Sequence, residues 1–126
     1  MISQNKKIIL DILNKCWSLD TSSKWTPENP AKGQCSVTAL VINDIFGGDI
    51  MKTQVGDDWH YYNYIDYERI DFTASQYPDP VNYSDIKCKR VDACLDTDLK
   101  KFQFMSSEFR KLMKYYPGLE LSKTNI

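Results

Sequence analysis

Between Ser3 and Ser18 the apolar positions recur at helical spacing. Ile8, Ile9, Ile12, Leu13 and Cys16 form one stripe, and the lysines and Asp11 fall elsewhere. This predicts an amphipathic N-terminal helix over 1–18. The stretch "LDTSSKWTPENPAKG" is rich in Ser, Thr, Pro, Asn and Gly and predicts a loop over 19–34, with Trp25 in its middle. A loop of that length in a compact domain is uncommon and often carries function. From Cys35 to Phe46 the helical spacing returns in Val37, Leu40, Val41 and Ile45, with Ala39 small enough for close packing. Gly47-Gly48 supplies the positive φ that ends such a helix. The period then changes to two. "IMKTQV", "WHYYNYI" and "RIDFT" read as strands, the last two joined by a short turn near Asp66-Tyr67.

"QYPDPVNYSD" carries two prolines and reads as a loop. "LKKFQFMSSEFRKLMKYY" predicts a closing helix over 97–116, with Leu99, Phe102, Met105, Phe109, Leu112 and Tyr116 on one side and Ser106-Ser107 as a candidate break. "PGLELSKTNI" reads as a tail. No internal repeat or low-complexity segment interrupts this order. It is an α+β order: N-terminal helices packed on a small antiparallel sheet, then a C-terminal helix, in a single domain over 1–126.

Composition narrows the function. The 126 residues suffice for one domain with a real core. A formal net charge of −1 gives no electrostatic reason to expect nucleic acid or an anionic membrane as partner. No segment reaches the ~20 apolar residues of a membrane span. Asp11 interrupts the apolar run near the N-terminus and no small-residue cleavage site follows, so no signal peptide is expected. The expected location is therefore the cytoplasm, where thiols stay reduced, and Cys16, Cys35, Cys88 and Cys94 are expected free. There is no CxxC pair and His60 is the only histidine, so no metal and no cofactor are expected.

Two residues stand out chemically. Cys35 opens the second helix, where unpaired N–H groups and the positive end of the helix dipole favour a thiolate. The same N–H groups can hold a developing oxyanion. The plain alternative is a small buried hydrophobe, which cysteine often is. His60 lies in "WHYYNYI", where alternation puts it on one face with Tyr62 and Tyr64 and leaves Asn63 on the other. Asp71 follows in "RIDFT". A two-residue turn at Asp66-Tyr67 pairs Ile65 with Glu68 and Tyr62 with Asp71, which makes Asp71 the diagonal neighbour of His60 on the same face. A turn one residue earlier makes them direct partners, and an odd loop separates them. Asp66 is a rival orienter. The pattern permits a relay in which Asp71 orients His60 and His60 takes the thiol proton of Cys35. The plain readings are a strand histidine among tyrosines and a surface carboxylate.

"GQCSVTAL" followed by "HYYNYI" and "IDFTASQ" resembles the small bacterial YunG-like family, with the similarity running from about Trp25 to Tyr77. More distantly, the pattern resembles the transglutaminase core of the papain-like fold: a cysteine at a helix start, then H-x-[aromatic]-N-x-[aliphatic], then D-x-T. Cys35, then His60, Tyr62, Asn63 and Ile65, then Asp71 and Thr73 occupy those positions. The resemblance implies a papain-like core with Cys35 as nucleophile, His60 as base and Asp71 as orienter. Gln34 and Trp25 are the candidates for a side-chain oxyanion donor, and Tyr62 and Asn63 complete the candidate oxyanion and substrate-binding set.

Two classes of function follow. The first is a cysteine-dependent acyl-transfer enzyme, acting on a peptide or amide substrate as peptidase, deamidase or transamidase, with loops 19–34 and 74–85 flanking its cleft. The second is a non-catalytic module of the same fold that binds a protein partner. It would use Tyr61, Tyr62, Tyr64 and Tyr67 together with the "QYPDP" loop as its surface.

Overall fold

Apolar stripes and turn residues set the elements of the computed structural model, which describes residues 2–119. A short 3-10 turn, Ile2–Asn5, leads into α1, Lys6–Cys16, whose buried side chains are Ile9, Ile12, Leu13 and Cys16. The helix starts later than the spacing alone implied, because its first four residues wind more tightly. Helix α2, Cys35–Phe46, is buried on every side from Cys35 to Ile42. Gly47 (φ 81°) and Gly48 (φ 77°) turn the chain out of it. Gly48 has a second reason to be glycine: a Cβ there would lie 2.4 Å from the Tyr64 carbonyl oxygen.

Strands β1, Asp49–Val55, β2, Asp58–Ile65, and β3, Glu68–Ile70, form an antiparallel meander. Asp66 (φ 55°) and Tyr67 (φ 63°) both adopt left-handed backbone, as a two-residue hairpin turn requires. The register is Ile65 opposite Glu68 and Asn63 opposite Ile70, the register that such a turn dictates. Strand β3 is shorter than the "RIDFT" run: Asp71 leaves the ladder because its own carboxylate accepts the Thr73 N–H at 3.2 Å. A fourth strand, β4, Ile86–Cys88, joins the free edge of β1 and gives the sheet order β3-β2-β1-β4. Helix α3, Arg90–Leu95, follows. Neither element was expected from sequence, since both are too short to show a period. Helix α4, Leu99–Met113, runs unbroken through Ser106-Ser107 and buries Met105 and Phe109. Leu99, expected on its apolar side, is exposed at the first turn. Of the expected tail, Pro117–Leu119 is a 3-10 turn with Leu119 buried, and 120–126 lie outside the described residues.

The helices pack on one face of the sheet. The Asn63 carboxamide donates to the Ala39 carbonyl of α2 at 3.0 Å, and the Trp17 indole donates to Thr38 at 3.0 Å. The other face of β2, carrying His60 and Tyr62, is covered by the chain from Asp71 to Asp85. Strand β2 is therefore central and covered on both sides. This corrects the expectation of a tyrosine surface: Tyr61 and Tyr62 are buried, Tyr64 is half-buried, and only Tyr67 stands fully in solvent. No described helix is long and apolar enough to cross a membrane.

Candidate functional site

Three elements converge on Cys35. Strand β3 covers β2 only from Asn63 onward, so the N-terminal half of β2 has an open outer edge. The first turn of α2 lies beside β2, with Cys35 and Tyr61 in one buried cluster. Its first backbone hydrogen bond runs from Thr38 N–H to the Gln34 carbonyl, so the N–H groups of Cys35, Ser36 and Val37 have no acceptor within the helix. The Cys35 thiol accepts from the backbone N–H of Tyr61 in β2 and from that of Ser36. Burial dominates these donors and pushes the thiol up to about 11. The helix start thus does not deliver a free-standing thiolate.

The Tyr61 amide belongs to the peptide that links it to His60. The His60 ring is fully buried, and its Nε2 lies 2.7 Å from Asp71 Oδ2. With Asp71 a carboxylate, Nε2 is the donor, and the ring is held with Nδ1 free to accept. Nδ1 is buried and has no hydrogen-bond partner among the described residues. No hydrogen bond joins it to the thiol in this structure. Tyr77 packs edge-on against His60, with ring centroids 5.0 Å apart, and lines the same cleft as Cys35. The charges of Cys35 and Asp71 both add to the effect of burial in raising the Tyr77 phenol. The cleft measures about 390 Å³, and its walls come from loop 19–34, through Ser22, Lys24 and Gly33, and from loop 74–85, through Gln76 and Tyr77. Gln76 ties the two loops together: its side-chain oxygen accepts the Gly33 N–H at 3.2 Å and its carbonyl accepts from Asn29 at 3.1 Å.

The other candidates are placed as follows. Gln34, directly before Cys35, is fully buried, and both its amide atoms lack a partner among the described residues. The Trp25 indole N–H is likewise buried and unpartnered, with the ring packed against the helical core rather than lining the cleft. Asn63 faces α2, spends its carboxamide on Ala39 and does not line the cleft. Tyr62 stacks beside His60 at 5.8 Å, and its hydroxyl is committed to Asp85 at 2.8 Å. Asp66, the rival orienter, lies at the hairpin turn and accepts from the Ile2 N–H.

Sequence reasoning missed Tyr83. Its hydroxyl donates to Asp71 Oδ2 at 2.8 Å, while Thr73 donates to Oδ1 through its N–H and hydroxyl. Burial, then the bond to Asp71, push the Tyr83 phenol well above its ordinary range, so it keeps the proton it donates. The Arg69 guanidinium stacks 4.3 Å over the Tyr83 ring and pairs with Asp85. The loop is thereby clamped over Asp71. Replacing Tyr83 by Phe keeps the ring and removes one donor to a buried carboxylate, worth about 1.5–3 kcal/mol. His60 is the only histidine, so its ring gives a single set of nitrogen signals. In Tyr83→Phe these signals are expected to move away from the Nε2–H tautomer as Asp71 gains freedom to turn. ¹⁵N-edited NMR reads this directly, and an unmoved ring would reduce Tyr83 to packing.

Comparison with known proteins gives one family. The family model described as "YunG protein" matches residues 5–114. A relative from Bacillus subtilis (strain 168), printed as "Uncharacterized protein YunG", is 47% identical over 102 residues, which cover 81% of this chain and 89% of the relative. No solved structure matches.

Proposed function

The chain belongs to the YunG family, and from that premise we propose that it is a cysteine-dependent acyl-transfer enzyme with a papain-like, transglutaminase-like core, acting in the cytoplasm. The observation that carries the reading is His60: Nε2 bonded to Asp71 at 2.7 Å, Nδ1 buried and unpartnered, on the strand whose Tyr61 amide donates to the Cys35 thiol.

In this reading Cys35 Sγ attacks the carbonyl carbon of an amide as its proton passes to His60 Nδ1. Catalytic contacts that are open in a free enzyme tighten when substrate binds. The oxyanion meets the Cys35 backbone N–H and the Gln34 carboxamide. The C–N bond breaks, His60 returns the proton to the leaving amine, and a thioester remains. Water or a second amine attacks the thioester, gives its proton to His60, and the sulfur departs and is reprotonated. A binding module of the same fold is the competing reading, favoured by the burial that raises the Cys35 thiol.

Alkylation separates the two. A thiol at about 11 with no base beside it is about one part in ten thousand thiolate at pH 7, against a few per cent for an ordinary cysteine. Iodoacetamide is therefore expected to modify Cys35 faster than the exposed Cys94 only where His60 takes the proton. In His60→Ala the Cys35 rate should fall below that of Cys94. Time-resolved peptide mass spectrometry at pH 7 measures both, and a wild-type Cys35 no faster than Cys94 would sink the acyl-transfer reading.

A further inference from the structure

The turn that takes Asp71 out of the ladder has a second effect. The Asp71 carboxylate accepts the Thr73 N–H, and the chain then winds through a 3-10 turn, Ala74–Gln76, closed by the Tyr77 N–H on the Ala74 carbonyl at 3.2 Å. This returns the chain over the same histidine: Tyr77 meets the His60 ring edge-on, with planes at 86°. Gln76, bonded to Gly33 and Asn29, fixes that position against loop 19–34. Three tyrosines thus surround His60 and Asp71, and their hydroxyls differ. Those of Tyr62 and Tyr83 are spent on Asp85 and Asp71. The Tyr77 hydroxyl has no hydrogen-bond partner among the described residues, and it is not sealed in as the Gln34 amide is. Tyr77 lines the cleft that Cys35 lines. Burial, then the charge of Cys35, hold its phenol well above the ordinary range, so the group keeps its proton and is a donor. The Cys35 charge acts on it more strongly than those of Asp71, Asp58 and Asp96, as expected of a phenol oxygen turned toward the thiol. It makes no bond to the thiol itself in this structure.

We propose that the Tyr77 hydroxyl is a catalytic hydrogen-bond donor that meets the oxygen of the carbonyl group Cys35 attacks. This rests on the acyl-transfer reading and adds a residue to it. The sulfur already receives the Tyr61 and Ser36 N–H groups. The charge that appears on attack lies on the carbonyl oxygen beside it, and a donor held ready for that charge lowers the barrier. Gln34 does not line the cleft, so Tyr77 is the side-chain donor already in place.

Two reagents test this on the full chain, one that forms an oxyanion and one that does not. With p-nitrophenyl acetate the Cys35 sulfur adds to the carbonyl carbon as its proton passes to His60. The C=O pair moves onto oxygen, and its return expels p-nitrophenolate and leaves acetyl-Cys35. With iodoacetamide the sulfur displaces iodide from a saturated carbon, and no oxyanion forms. Tyr77→Phe keeps the ring against His60 and removes only the hydroxyl. In this variant acetylation of Cys35 is expected to slow about a hundredfold, the loss typical of one oxyanion donor, while alkylation keeps the wild-type rate. Time-resolved peptide mass spectrometry reads both reactions at Cys35. If both slow together, the hydroxyl acts on the thiol or on His60 rather than on the oxyanion, and the proposal fails. If both keep their rates, Tyr77 only packs against His60, and the proposal fails as well. A wild-type Cys35 acetylated no faster than the exposed Cys94 would overturn the acyl-transfer reading and the role of Tyr77 with it.

Discussion

If the chain is the proposed acyl-transfer enzyme, turnover is expected to vanish in Cys35→Ala and in His60→Ala, and to persist at a small residual level in Asp71→Asn. The first two remove the attacking atom and the base that frees it. With the thiol held at about 11, Cys35 has no independent supply of thiolate, so either loss is nearly total. Asp71→Asn acts differently. An asparagine that keeps the bonds from Thr73 on its oxygen turns its amide N–H₂ toward His60, at the place where Asp71 now offers Oδ2 to both His60 and Tyr83. Nε2 would then have to accept, the ring proton would move to Nδ1, and Nδ1 could no longer take the thiol proton. In serine triads the same exchange lowers kcat by about 10⁴. The measurement is a panel of peptide, glutamine-amide and amine-transfer substrates, run with wild type and the three variants side by side. Activity that survives Cys35→Ala undiminished would exclude a cysteine mechanism. A binding module predicts instead that Cys35→Ala leaves partner binding intact.

The pairing of His60 with Asp71 was legible because it depends on parity. Asp66-Tyr67 can adopt two left-handed residues, the turn then fixes the register, and a side-chain period of two puts residues 60 and 71 on one face. The role of Tyr83 was not legible. It reaches Asp71 across a proline-containing loop with no period of its own, and only the folded chain shows Arg69 and Asp85 holding that loop in place. The Cys35 thiol shows a competition that sequence cannot settle. Burial pushes it up, aided by the charges of Asp96 and Asp71, two N–H donors pull it down, and the magnitude of burial appears only in three dimensions.

The fold divides in the same way. Helix α2 was readable to its ends because Gly47-Gly48 and the apolar spacing agree. Strand β4 and α3, of three and six residues, are too short for periodicity to register, and each is held by long-range partners: β4 by the edge of β1, and Arg90 of α3 by Asn43 and Asp44 of α2. Tyr61 and Tyr62 misled for another reason. Alternation marks an exposed face only when one side of a sheet is bare, and β2 is covered on both.

Phe109→Ala is expected to cost about 3–5 kcal/mol, the range for deleting a buried aromatic side chain. Phe109 is fully buried in the C-terminal half of α4, in the core that also holds Ile9, Ile12 and Leu13 of α1. Its ring meets Phe46 edge to face, with centroids 6.3 Å apart and planes at 86°. A domain of this size has about 5–15 kcal/mol in all, so the variant should fold but melt roughly 10–20 °C lower. Phe104→Ala, whose ring lies 38% exposed on the same helix, should cost about 1 kcal/mol or less. Urea titration and thermal melts of both variants give the comparison, and equal losses would show that α4 does not pack through the Met105–Phe109 face. The consequence reaches the site. Phe46 is the last residue of α2 and Cys35 is the first, so the contact with Phe109 anchors one end of the helix whose other end places the thiol against β2. Loosening that anchor lets the first turn drift from the Tyr61 amide. Cys35 alkylation in folded Phe109→Ala should therefore slow relative to wild type, while Phe104→Ala leaves it unchanged.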